Sequence, residues 1–153
     1  MLAACTAAQP PVAVTFRAPD APIYSSAVLD EARLSGPWLQ VATLAPGGQA
    51  VCRPGAVDFD RGQVRWDLCL PDGRHSGDGP LLPGKPGRFA VEGMADWWVL
   101  WADADYRTLV ISTPSGQFGL VLNRDAALPP DRLKAVRDIL GFNGYRVAEL
   151  VVF

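Results

Sequence analysis

With a single histidine, His75, and three cysteines at unrelated spacings, the sequence lacks the ligand set of a structural zinc site. No metal or other cofactor is expected. Basic residues are few and dispersed: 14 Lys and Arg stand against 16 Asp and Glu, for a net charge of −2, and no basic stripe exists to meet a phosphate backbone. That excludes nucleic acid as a partner. No apolar run approaches the roughly 20 residues of a membrane helix, so contact with a membrane is expected through a lipid anchor only. Nor is there an internal period of the roughly 20 to 50 residues that marks repeat proteins.

What is present is a chain of 153 residues, 49% hydrophobic, which suits one domain with a full core or a small internal cavity. Short β-type runs follow one another, at Leu34 to Leu44, Ala56 to Phe59, Gln63 to Leu70, Arg88 to Val91, Trp97 to Ala102, Thr108 to Thr113 and Phe118 to Leu122. Gly, Pro, Asn and Asp separate them. Connections of hairpin length predict an antiparallel meander that closes as a barrel, because closure removes exposed edges. The Gly/Pro-rich stretch from Pro71 to Gly87 reads either as a poorly formed hairpin or as a mobile loop at the barrel mouth. One helix breaks the pattern: Pro129 and Pro130 suit its start, Leu133, Val136, Ile139 and Leu140 form its apolar stripe, and Gly141 its stop. It is expected outside the sheet, with "YRVAELVVF" following as a last strand.

The start, "MLAACTAAQPP", contains Leu2-Ala3-Ala4-Cys5, the form of a lipobox at which bacterial lipoproteins are cleaved and diacylated on cysteine. A secretion signal needs a basic start and an apolar segment of about 7 to 15 residues before cleavage. Only four residues precede Cys5, so either the start has been trimmed or the tetrapeptide is fortuitous. The first reading makes residues 1–28 a lipoprotein-like segment and tether, and residues 29–153 the barrel domain. Between Cys52 and Cys69 lies "DFDRGQ", a turn signal centred on Asp60 and Arg61. In an ungapped hairpin about that centre the two cysteines stand opposite each other, within reach of a disulfide; the alternative is two buried thiols.

In "QVRWDLCL", Val64, Trp66 and Leu68 alternate with Arg65, Asp67 and Cys69, so the first set is expected inside and a disulfide on the outer face. In "DADYR", Asp103 and Asp105 sit at a strand-to-strand corner, where Asp bonds backbone N–H groups. They are read as structural, and no enzyme is expected.

The order Gly36-Pro37-Trp38, Ala104-Asp105-Tyr106, Arg124 in "LVLNRD" and then the "LPPDRLKAVRD" helix resembles the lipocalins, most closely their bacterial outer-membrane lipoprotein branch. The segment "VLDEARLSGPW" strengthens the resemblance. It implies an all-β, eight-stranded up-and-down antiparallel barrel with one C-terminal helix packed outside and a final strand. It places Trp97, Val99 and Trp101 inward, with Trp98 and Leu100 outward, and makes Gln40, Ala42, Leu109, Ile111, Phe118 and Leu120 inward too. Trp38 and Arg124 would meet at the closed end, a structural latch beside the Asp105-Tyr106 corner. Ligand-binding candidates are therefore Gln40, Ala42, Val64, Trp66, Trp97, Val99, Trp101, Leu109, Phe118 and Leu120, with the tryptophans either lining a cavity or filling it.

Such a lining fits a small apolar ligand such as a fatty acid or lysophospholipid, bound or carried by a periplasm-facing lipoprotein of the bacterial outer membrane acylated on Cys5. The alternative is a non-catalytic envelope protein with a self-filled barrel that binds a partner through its outer surface.

Overall fold

The computed structural model of the protein describes residues 13–153. Nine strands run in chain order: β1 (Gly36–Leu44), β2 (Ala56–Asp60), β3 (Gln63–Leu70), β4 (Gly73–Pro83), β5 (Arg88–Val91), β6 (Trp97–Ala102), β7 (Thr108–Ser112), β8 (Gly119–Asn123) and β9 (Leu150–Val152). Each of β2 to β8 pairs antiparallel with the next, β8 pairs with β1, and β1 returns to β2, closing an eight-stranded up-and-down barrel. β9 bonds outside it, along the part of β1 that β2 leaves free. No helix among the described residues is long and apolar enough to cross a membrane.

The β2–β3 hairpin turns about Arg61 and Gly62, both at positive φ (48° and 78°), as a type I′ turn requires. Glycine takes the second of these positions without strain, which moves the turn one residue beyond the expected Asp60–Arg61 centre. Phe59 therefore faces Val64 and Val57 faces Trp66, and the cysteines are not ladder partners. They are nonetheless joined: Cys52 lies before β2, and its segment folds back to form a disulfide with Cys69, with Cα atoms 5.6 Å apart.

The stretch read as an irregular hairpin or loop contains the longest strand. β4 pairs with β3 from Gln63↔Pro80 to Leu70↔Gly73. It lacks an apolar alternation because Gly73, Gly77 and Gly79 oppose the large residues Leu70, Trp66 and Val64. At Gly77 a Cβ would collide with the benzo edge of the Trp66 indole; the missing side chain is the space that the indole fills.

α1 spans Pro130–Phe142, buries Val136 and Leu140 against the outer face of the barrel, and runs through Gly141 instead of stopping there. The chain leaves the helix at Asn143 and Gly144, the latter at φ 82°. Of the expected final strand, Leu150–Val152 alone is extended, after a 3-10 turn at Val147–Glu149, because Tyr145 and Arg146 bond instead to Arg17 and Phe16. Phe16 is fully buried in the same outer layer as α1. Phe16 and Arg17 are thus docked on the barrel ahead of the expected barrel domain at residues 29–153. Cys5 lies outside the described residues.

Candidate functional site

One end of the barrel is closed by a 3-10 turn, Glu31–Leu34, capped by the Asp30 side chain, which accepts from Ala32 N. Trp38 is fully buried there, its indole N–H donating to the Leu34 carbonyl at 2.7 Å. The Arg124 guanidinium lies 3.7 Å from the Trp38 ring and donates to the carbonyls of Arg33, Ser35 and Pro37, each at 3.0 Å. Burial first, and then the neighbouring Arg107 charge, pull the Arg124 guanidinium below its ordinary pKa, and these carbonyls, with the ring face, compensate its desolvation. Tyr106, at φ 53°, accepts from Asp30 N through its hydroxyl and lies under Arg33. Trp38, Arg124 and Tyr106 therefore come together. Asp105 does not join them: the corner carboxylate is Asp103, which accepts from Arg107 N at 2.6 Å and Thr108 N at 2.7 Å and faces Arg132.

The middle of the barrel is filled. Val64, Trp66, Trp97, Val99, Leu109, Ile111, Phe118 and Leu120 all belong to the inner apolar cluster. Trp97 meets Trp66 and Phe59 edge to face, with ring centroids 6.1 and 6.3 Å apart, and its Nε1–H has no acceptor among the described residues. Two residues expected inside are outside. Ala42 and Trp101 belong to the outer cluster under α1, because the β1–β8 ladder slips between Gln40 and Ala42 and the β6–β7 ladder between Val99 and Trp101. An extra residue in one strand reverses the parity of all that follow.

Gln40 faces inward but offers nothing to a guest. Its carboxamide donates to the Cys69 carbonyl at 2.7 Å and accepts from Cys69 N at 2.9 Å and Gly55 N at 3.1 Å. It stands in for a peptide unit where β2 has not yet begun and β1 would otherwise face β3 across a gap.

Open space lies at the other end, in a cavity of about 550 Å³. Its walls are the β3–β4 turn (Leu70, Pro71, Asp72, with His75), the β5–β6 turn (Gly93, Met94, Ala95), the approach to β8 (Gln117, Phe118) and the passing segment Ala13–Val14. Of the expected binding residues, Phe118 alone lines it. These turn residues are not among the expected binding residues, because turns carry no periodicity. Strand order held the signal: in a meander, alternate connections lie at the same end, which brings these three turns together. A smaller cavity of about 420 Å³ lies at the closed end, between the Glu31–Leu34 turn and the β2–β3 hairpin.

A closed eight-stranded meander with a capped end, an open mouth and a flanking helix is the lipocalin fold. Residues 85–153 match the family model described as a lipocalin-like domain. Among solved structures, the cockroach major allergen Per a 4 is similar with a TM-score of 0.62 at 11% identity, over 88% of this chain and 94% of that one. Lobster apocrustacyanin A1 gives 0.55 at 17% identity, over 86% and 88%. The siderocalin Ex-FABP gives 0.58 at 14% identity, over 79% and 93%. No curated protein matches the chain by sequence. The family match is confined to that C-terminal stretch, and these neighbours share the fold.

Proposed function

We infer that the protein is a non-catalytic binding protein that holds a small apolar molecule, of the fatty acid or lysophospholipid type, in the mouth cavity. The observation that carries this reading is the open volume of about 550 Å³ whose walls include Leu70, Met94 and Phe118. The lipocalin fold implies small hydrophobic ligands, and the siderocalin Ex-FABP is described as functioning through dual ligand specificities. Burial of about 300 Å² of hydrocarbon yields roughly 7.5 kcal/mol before ordering costs, which sets micromolar affinity as the scale. Calorimetric titration tests it. Lauryl alcohol binds the native protein, and Ala95→Trp, which fills the mouth from an exposed turn, abolishes the heat without moving the unfolding midpoint. Equal heats from both proteins refute the assignment.

The packed tryptophans favour a second reading, in which the self-filled barrel acts through its outer surface on a partner; absence of binding by any apolar probe selects it. The lipobox-like start further supports an envelope lipoprotein of the bacterial outer membrane, facing the periplasm and acylated on Cys5. Cys5→Ser then releases the protein from the membrane fraction, and a cytoplasmic unmodified product rules the anchor out.

A further inference from the structure

The polar side chains of the mouth are few, and one of them is a carboxylate. They are Asp72, His75 and Gln117, and no lysine or arginine is among the described residues that line the cavity. Asp72 and His75 are paired, Oδ1 to Nε2 at 2.7 Å, with the Asp72 side chain 75% exposed and free to meet a second partner. Glu92 and Asp96 flank the Gly93–Ala95 turn in sequence. Three nearby cations are engaged elsewhere. Arg74 forms a fork with Asp67 on the outer face, at 2.6 and 2.5 Å, and Arg146 bonds Glu149 at 3.0 Å. The Arg17 guanidinium is buried against the carbonyls of Asn143 and Ala21.

A carboxylate at the rim of an apolar cleft, with one oxygen bonded to His75 and the other free, attracts a cation that approaches the opening. We propose that the mouth takes an apolar molecule bearing a cationic nitrogen, an amine or a quaternary ammonium, with the Asp72 carboxylate receiving the charge. This rests on the binding reading above and narrows it. A free fatty acid would set a second carboxylate beside Asp72, where His75 is already bonded and Gln117 is a neutral donor. A lysophospholipid ending in ammonium places the favourable charge there, so of the two ligand types it is the one that fits.

The test compares laurylamine, lauryl alcohol and lauric acid by calorimetry at about pH 8, where an alkylamine carries its charge. The chains are identical and the heads differ only in charge. The amine binds about fivefold more tightly than the alcohol and the acid about fivefold more weakly, the upper range of a partly exposed ion pair. In Asp72→Asn the advantage of the amine falls to within about twofold, whereas Asp58→Asn, on the exposed outer face of β2, keeps it. Acid binding as tightly as amine overturns the proposal, as does an amine preference that survives Asp72→Asn. Equal binding of all three heads overturns it while leaving the apolar site standing, and failure of all three, the alcohol included, removes the site and the proposal together.

Discussion

The middle of the barrel and its mouth are both walled by apolar residues, yet one is full and the other open. In the middle, three aromatic rings, Phe59, Trp66 and Trp97, meet across a narrow section, and Gly77 is kept bare so that one of them fits. At the mouth, the walls come from turns: Pro71, Gly93 and Ala95 are small or rigid, and the larger Leu70, Met94 and Phe118 leave the space between them. An inward apolar residue is thus no sign of a binding wall. What decides is whether the ring opposite it leaves room.

Cutting into each region separates them most sharply. Trp97 is 1% exposed, so Trp97→Ala opens a void that the surrounding strands cannot close, and stability falls by about 3 to 5 kcal/mol in chemical denaturation. Met94→Ala at the mouth costs less than about 1 kcal/mol but weakens lauryl alcohol several-fold by calorimetry. Comparable stability losses from both would erase the distinction.

Gln40 comes next in size. Removing its carboxamide in Gln40→Ala leaves both backbone groups of Cys69 and the Gly55 N–H without partners. A loss of about 3 kcal/mol is expected, with ligand affinity unchanged because Gln40 does not reach the mouth; an affinity change would place it in the site. The smallest effect lies in the outer layer. Tyr145 is buried, with its hydroxyl donating to the Thr113 carbonyl at 2.8 Å, and burial pushes its phenol pKa up from the ordinary 10.0. Its contribution is therefore fully present below pH 10 and is lost as pH rises through the folded value. Tyr145→Phe lowers stability by about 1 kcal/mol at neutral pH and flattens that alkaline decline in a pH series of unfolding midpoints.

The meander, its closure, the helix and the Arg124–Trp38 contact were legible because each has a local signal: alternation, turn residues, a stripe at helical spacing, or a motif in a fixed order. Trp97 and Trp101 show where legibility ends. They are four apart on one strand and alternation puts them on one face, but the slip after Val99 sends Trp101 out under the helix, and no residue type announces a bulge. Ala42 fails for the same reason on β1. β4 was hidden because its job is to be small beside its neighbour. The cysteine pairing was reached from a hairpin register that the molecule does not use, since Arg61 and Gly62 form the turn. The mouth itself is built from three connections distant in sequence, which only the strand order unites.

A ligand that enters the mouth leaves the aromatic middle undisturbed. None of the five tryptophans lines the mouth cavity. Tryptophan emission followed through a calorimetric titration with lauryl alcohol tests this most directly. A saturable heat with emission unchanged in wavelength and intensity is expected; a blue shift or quench that saturates in step with the heat would show that the ligand displaces Trp66 or Trp97 and would contradict a mouth site.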